Sequence, residues 1–182
     1  SGPANIDNWG ASAQIKTDLQ AFVAHFAGTY ARIVRTAYYN NCGSSCPPMF
    51  FPVYDGPSYV YQAMAPYADG FWVSPFGLGL NNVVSEVKRI IAAASIPGGK
   101  STPIILGDYA TANPDSQFSS SIGGGALYPS QSAKGSGLVS LWQSILHLQD
   151  INGKYVVVGL EHWPFYDQAN EKWDGGLVSS DA

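Results

Sequence analysis

The chain has 182 residues with a net charge of −4, 46% hydrophobic residues and only 12% charged residues. This length suffices for one domain with a substantial core, and the hydrophobic content excludes a disordered chain. No stretch reaches the roughly 18 apolar residues that a membrane span requires. The lack of a basic cluster argues against nucleic-acid binding. The sequence starts at Ser1 without the apolar segment of a signal peptide, so either that signal was removed or the true start lies upstream.

Helical and strand patterns alternate along the chain. Apolar side chains at helical spacing predict a helix at 11–28, with Gly28 as its stop. Segment 31–39 predicts the first strand, and a loop with two cysteines and two prolines follows it. In chain order we then expect a short helix at 58–67, a strand at 69–74, a helix at 81–95, a strand at 103–108, a long loop at 109–134, a helix at 136–150 and a last strand at 154–162.

The alternation of helices with apolar strands predicts parallel βαβ units. A doubly wound sheet and a barrel both fit this pattern. Loops that follow strands are long, polar and aromatic, whereas loops that follow helices are short. In both folds a ligand binds at the carboxyl ends of the strands, so we expect the functional residues there.

Tyr, Trp, Ser, Asn and Gly take the place of charged residues in this composition. Aromatic faces stack on sugar rings, and amides and hydroxyls bond to sugar hydroxyls. This balance favours a secreted protein that acts on carbohydrate, and a stable secreted domain of another kind is the alternative.

Cys42 and Cys46 bracket a short Gly-Ser-Ser segment, and this spacing can close a small disulfide loop. A zinc site would need more ligands, and the nearest histidine, His25, lies on a predicted helix. We therefore expect a disulfide in the loop after the first strand, no metal, and an extracellular location.

The last predicted strand carries the most specific pattern. Gly159, Trp163, Asp167 and a Gly-Leu-Val at 176–178 resemble the eighth-strand signature of retaining (β/α)8-barrel glycoside hydrolases of the clan A, cellulase-like type. The resemblance implies an α/β fold in which residues 1–182 form half of a single barrel domain, strands five to eight. It also implies hydrolysis of a glycosidic bond in a polysaccharide or oligosaccharide without a cofactor.

Asp108 ends a strand that resembles the seventh strand of the same families, where the nucleophilic Glu normally stands. Asp is one methylene shorter, and a retaining pair needs its carboxyl groups roughly 5–5.5 Å apart. Asp108 is therefore a candidate nucleophile, a ligand of a sugar hydroxyl, or the seat of an inverting or lost activity. The alternative is a structural carboxylate that caps the loop or pairs with a neighbouring arginine.

Glu161 is the second catalytic candidate. On a regular strand Val157, Gly159, Glu161 and Trp163 share one face, so Glu161 should face the barrel mouth if Trp163 does. A carboxylate in a half-dry cleft is suited to act as a general acid. The alternative is an ion pair with Arg35. Because Asp108 and Glu161 end adjacent strands, both could act on one substrate.

Aromatic and amide side chains at the predicted strand ends are the candidate sugar ligands. Those singled out for substrate binding are Tyr39, Asn40, Trp72, Tyr109, Trp163, Asp167 and Trp173. Each could equally be a packing residue of the core or of a loop.

In the families that this chain resembles, the general acid is a Glu after an Asn at the end of the fourth strand. The Asn170–Glu171 dipeptide lies past the last strand, so the resemblance places the acid/base carboxylate upstream of this chain. A half-barrel would leave unpaired backbone at the outer edges of strands 31–39 and 154–162. We expect a second chain, or the N-terminal half of the same precursor, to pair with them. The rival hypothesis is a non-catalytic carbohydrate-binding or structural protein on a degenerate barrel.

Overall fold

The computed structural model describes residues 12–54, 56–74, 80–109 and 128–162. Within these ranges helices and strands alternate: α1 (Ala13–Cys42), β1 (Phe50–Tyr54), α2 (Ser58–Met64), β2 (Gly70–Ser74), α3 (Leu80–Ala94), β3 (Ile104–Tyr109), α4 (Gln131–Leu146) and β4 (Val157–His162). All neighbouring strands are parallel, in the order β1-β2-β3-β4. The α/β fold class is therefore confirmed. The sequential order lacks the reversal of a doubly wound sheet and has the arrangement of a barrel.

The strand predicted at 31–39 is wrong, because α1 continues as one helix of 30 residues to Cys42. Gly28 does not stop the helix. A Cβ at Gly28 would lie 3.0 Å from the Ala63 carbonyl oxygen, so this glycine allows α1 to approach α2 closely. Ala27 and Ala31 are buried at helical spacing on either side of it. The helix ends at Gly43, whose φ of 66° is favourable for glycine and whose N–H donates to the Tyr39 carbonyl.

The first strand is β1, which lies within the segment predicted to be a loop. Its sequence, Phe-Phe-Pro-Val-Tyr, contains Pro52, and a proline within an apolar run argues against a central strand. In the described sheet β1 is an edge strand, where a proline is tolerated. The helix predicted at 136–150 begins five residues earlier, at Gln131, and most of the loop predicted at 109–134 lies outside the described residues. The remaining predicted elements lie within about three residues of their observed positions.

The sheet has one face covered by helices. Its alternate residues Phe51, Val53, Phe71, Val73, Ile104 and Leu106 are buried in one cluster with side chains of all four helices. The opposite face, here called the free face, carries Phe50, Pro52, Trp72 and Ile105. No helix in the described part of the chain is long and apolar enough to cross a bilayer.

β4 contains an irregularity that changes which of its residues share a face. Ile104 pairs with Val157, but Ile105 pairs with Gly159, so Val158 is an extra residue in the ladder. Val157 is buried on the helical side, whereas Val158 is exposed. The expectation that Val157 shares a face with Glu161 is therefore wrong, because the bulge separates the two positions.

At the amino-terminal end of the sheet a cluster of donors surrounds Asp69, directly before β2. Arg35 Nη1 lies 2.5 Å and Lys100 Nζ 3.2 Å from Oδ1 of Asp69. The Tyr39 hydroxyl and, at 3.0 Å, the Met49 backbone N–H donate to Oδ2. Burial alone would raise the pKa of the Asp69 carboxyl, but these donors outweigh it and hold that pKa well below its ordinary value. The cluster ties α1 to the chain segments that enter β1 and β2.

Asp69→Asn should lower the free energy of unfolding at pH 7 by roughly 1.5–3 kcal/mol, since Arg35 and Lys100 lose their counter-charge. With a depressed folded-state pKa, the carboxylate stabilises fully above its unfolded pKa of about 3.9. This stabilising contribution is lost as pH falls below the unfolded pKa towards the lower pKa of the folded state. Denaturant unfolding of both proteins should therefore show a smaller difference at pH 3 than at pH 7. Equal differences would show that Asp69 acts through packing, and the exposed Asp18→Asn is the control.

Cys42 and Cys46 lie at disulfide distance, with their Cα atoms 5.4 Å apart. The pairing agrees with the prediction, but its location does not. Because 31–39 is helical, the pair closes the short 3-10 turn Gly43–Ser45 between α1 and β1, at the amino-terminal end of the sheet.

Replacing both cysteines by serine should lower the free energy of unfolding by about 2 kcal/mol, the loop-closure contribution of so short a loop. Thiol labelling of the unreduced, denatured wild-type chain should give no adduct, and labelling after reduction should give two adducts by mass spectrometry. Two reactive thiols before reduction would contradict the bond.

Candidate active site

Trp72 and Glu161 meet on the free face across the full width of β3. Trp72 is the middle residue of β2, and Glu161 is the penultimate residue of β4. The indole Nε1–H donates to Glu161 Oε2 at 3.0 Å. Glu161 is exposed and Trp72 is partly buried. A carboxylate accepts about four hydrogen bonds, so Glu161 is oriented by Trp72 and keeps capacity for a ligand hydroxyl.

Gly107 of β3 makes this contact sterically allowed. A Cβ at Gly107 would overlap the Cε2, Cζ2 and Nε1 atoms of Trp72, so the indole lies flat over the glycine backbone. A glycine within a strand often marks such a close approach. Sequence reasoning did not identify Gly107, although its position one residue before Asp108 was the available signal.

Ser74 is the last residue of β2 and shares the face of Trp72. Its side chain is 2% exposed, and its Oγ has no hydrogen-bond partner in the structure as described. Leaving a buried hydroxyl unpaired costs roughly 1–3 kcal/mol. Ser74 therefore places an unused donor and acceptor near the carboxyl end of β2.

Asp108 is the penultimate residue of β3, the strand next to β4. The ladder pairs Tyr109 with His162, which brings the backbones of Asp108 and Glu161 to the carboxyl ends of neighbouring strands. This adjacency of the strand ends is confirmed. The side chains of Asp108 and Tyr109 lie outside the described residues, as do the predicted ligands Trp163, Asp167 and Trp173.

Tyr39 and Asn40 are not at a strand end, so the reason for assigning them to a substrate site is wrong. Both lie in the last turns of α1. The Tyr39 hydroxyl donates to Asp69 at the amino-terminal end of the sheet, opposite to Glu161. The hydrogen bond to Asp69 raises the pKa of Tyr39. In barrels this end serves stability, whereas catalysis occurs at the carboxyl end.

The alternative role of Glu161 as the partner of Arg35 is not observed, because Arg35 pairs with Asp69. Glu161 instead accepts from Trp72. In the described ranges no group of three or more His, Cys, Asp or Glu side chains is arranged to hold a metal ion. The described part of the site presents a carboxylate, an indole and a hydroxyl.

No family model and no curated protein sequence matches the chain. Solved structures of similar fold include the following two. An agarase, AgWH50C, matches 94% of this chain and 25% of its own chain, with a TM-score of 0.65 and 20% identity. BpGH50 matches 97% of this chain and 35% of its own chain, with a TM-score of 0.65 and 17% identity.

At these identities the likeness concerns the fold. The chain adopts part of the fold of both structures and covers 25% of the length of one and 35% of the other. Since almost all of this chain is matched, it corresponds in fold to part of each of these structures, one of which is an agarase.

Gly107→Ala should displace the Trp72 indole and break its hydrogen bond to Glu161, because the new methyl group would occupy the position of the ring. Gly159→Ala is the matched control, since its Cβ would make an ordinary contact of 3.4 Å with Ile105. The amide and indole proton spectrum can test this, with the Trp72 signal assigned from Trp72→Phe. The Trp72 indole N–H should exchange with solvent faster in Gly107→Ala, and at the wild-type rate in Gly159→Ala. Unchanged exchange in both would contradict the steric argument.

Proposed function

We propose that this chain supplies part of the active site of a glycoside hydrolase that acts on a polysaccharide or oligosaccharide. The observation that carries the proposal is the orientation of Glu161 by Trp72 at the carboxyl end of a parallel sheet. Barrel enzymes place their catalytic groups at that end. The partial glycoside hydrolase fold supports the same function class.

Asp108 and Glu161 are the proposed catalytic carboxylates of this chain. Adjacent strand ends can present both groups to one glycosidic bond. A separation of about 5–5.5 Å suits a nucleophile and an acid/base, whereas roughly 6.5–9.5 Å leaves room for an attacking water. The resemblance in the last two strands assigns the nucleophile position to Asp108 and a further acid/base carboxylate to a segment upstream of this chain.

Sugar binding is proposed for the side chains that surround Glu161. Trp72 offers a partly exposed indole, and the unpaired Ser74 hydroxyl can bond to a sugar hydroxyl once substrate enters. Tyr109, Trp163, Asp167 and Trp173 remain proposed ligands from the sequence pattern. Tyr39 and Asn40 are not part of this proposal.

A non-catalytic carbohydrate-binding protein is the second candidate. It is favoured by Asp108, which stands where the resembling families place a longer Glu. In that case Trp72 and Ser74 would retain affinity for sugar while the carboxylates would have no catalytic role. An extracellular location is proposed with either function, since the cysteine pair suits an oxidising compartment.

In the full-length protein, Asp108→Asn and Glu161→Gln should each lower turnover by roughly 10²-fold or more, the usual contribution of a positioned acid or base. The assay measures release of reducing ends from a panel of polysaccharides, with agarose first because one similar structure is an agarase. The exposed helical variant Asp18→Asn should retain full turnover.

Binding should be measured on the same panel by calorimetry. Saccharide binding without turnover by the wild-type protein would favour the non-catalytic candidate. If the protein neither binds nor hydrolyses any saccharide of the panel, both candidate functions are contradicted for these saccharides.

A further inference from the structure

The amino-terminal end of the sheet contains an open cavity of about 350 Å³. Its walls come from α1, from the connection between α1 and β1, from β1 and β4, and from the segments that enter β2 and β3. None of its described lining residues belongs to the site proposed around Glu161, which lies at the other end of the strands. A volume of this order is at the lower end of the range in which proteins bind small molecules.

One wall of this cavity, here called the apolar wall, consists of Phe50, Pro103 and Val158. The Phe50 ring lies over Gly70, where an added Cβ would overlap it. Val158 is 58% exposed and is the extra residue of the β4 bulge. Bulges often re-aim a side chain near a functional site. The bulge therefore gives the cavity an exposed apolar side chain beside an aromatic ring and a proline.

The polar edge of the cavity carries an excess of positive charge. Lys100 and Asp69 both line the cavity, and Arg35 pairs with the same carboxylate. Because the donors around Asp69 hold its pKa below the ordinary value, this carboxylate is ionised at neutral pH. Two cations thus share one anion, which leaves one positive charge. Asp150, which bonds to the residue after Lys100, accepts from backbone N–H groups and is not among the described lining residues.

Lys100 is the group of this edge that can contact a ligand. Its side chain is 53% exposed. Its Nζ donates to the Ala68 carbonyl at 2.9 Å and to Asp69 Oδ1 at 3.2 Å. An ammonium has three N–H groups, so one donor remains within the described contacts. Both oxygens of Asp69 already accept hydrogen bonds, Oδ2 from the Tyr39 hydroxyl. A ligand at this edge therefore meets a charged donor and no unused acceptor of Asp69.

We propose that this cavity binds a small aromatic monocarboxylate. The apolar wall contacts the aromatic ring, and the Lys100 ammonium pairs with the carboxylate of the ligand. A single excess positive charge matches a single negative charge, and it disfavours a cationic ligand. A neutral sugar would find an apolar surface over most of the cavity. The site is separate from Glu161, so the inference does not depend on hydrolysis of a glycosidic bond.

Ligand-observed NMR titration of the full-length protein with three probes tests the proposal. Phenylacetate has the ring and the charge, phenylacetamide has the same shape without the charge, and acetate has the charge without the ring. Phenylacetate should bind with a dissociation constant of about 1 mM or lower, as suits so small a ligand. The other two probes should bind roughly tenfold or more weakly. Equal affinity for phenylacetate and phenylacetamide, or no binding of phenylacetate at millimolar concentrations, would overturn the proposal.

Variants of the cavity assign the binding to this site. Lys100→Gln should weaken phenylacetate binding roughly tenfold and leave phenylacetamide binding unchanged, because only the charged donor is removed. The exposed Lys88→Gln on α3 is the matched control and should bind as the wild type does. Val158→Phe fills part of the cavity and should weaken the binding of both aromatic probes. This second variant leaves the contacts of Asp69 intact, so it remains informative if Lys100→Gln loosens the fold.

The candidate active site is the competing location for an aromatic probe, since Trp72 is partly exposed there. Glu161→Gln should therefore leave the affinity for phenylacetate unchanged. A loss of affinity in Glu161→Gln, with wild-type affinity in Lys100→Gln and Val158→Phe, would overturn the proposal in favour of binding beside Trp72. All readouts are affinities and none is an activity, so the result is separate from that of the proposed function.

Discussion

Parallel pairing of consecutive strands is the constraint from which the rest of this structure follows. Two parallel strands require a crossover between them, and such crossovers are nearly always right-handed. Repeating the same crossover along β1-β2-β3-β4 places every helix on one side of the sheet. The helices bury one face, and the opposite face carries Trp72 and Glu161. Among the described residues, the same arrangement leaves an uncovered helix side and a strand with one unpaired edge at each end of the row.

The free face is shaped by a repeated contact between a large side chain and a glycine on the next strand. Phe50 of β1 lies over Gly70 of β2, and Trp72 of β2 lies over Gly107 of β3. Ile105 of β3 likewise lies beside Gly159 of β4, where an added Cβ would be 3.4 Å from the Ile105 side chain. Each large side chain thus leans towards the next strand along the sheet. This displacement carries the Trp72 indole across β3 to the carboxylate on β4.

Paired and unpaired polar groups lie at opposite ends of the described strands. At the amino-terminal end, Asp69 collects donors from α1, from the start of β1 and from the segment before β3, and the Cys42–Cys46 pair lies nearby in the chain. The negative charge of Asp69 is paired with the positive charges of Arg35 and Lys100. At the carboxyl-terminal end, Glu161 is exposed and the Ser74 hydroxyl is unpaired within the described structure. Unsatisfied polar groups are costly for folding alone, so their position at this end is consistent with a site that a ligand completes.

The sequence was sufficient to predict the fold class, because helical and strand periodicities alternate clearly from α2 to β4. It failed at α1 and β1, where local preferences conflict with packing. Ile33 and Val34 favour a strand locally, yet the small residues Ala27, Gly28 and Ala31 let one long helix pack against α2. Pro52 argued against a strand, and for this reason the edge strand β1 was not predicted. Because of this error, Tyr39 and Asn40 were assigned to the wrong end of the sheet. Trp72 and Glu161 were assigned correctly, since both lie on correctly predicted strands.

The contact between Trp72 and Glu161 could not have been predicted, because it joins strands that are not neighbours. β2 and β4 are separated by two strand spacings, about 10 Å in a flat sheet. An indole and a glutamate side chain span that distance here because Gly107 leaves room for the indole between them. The bulge at Val158 sets which β4 residues face the indole, since it returns Glu161 to the side of Trp72. The orientation of the carboxylate thus depends on backbone features of β3 and β4 that carry no catalytic group themselves.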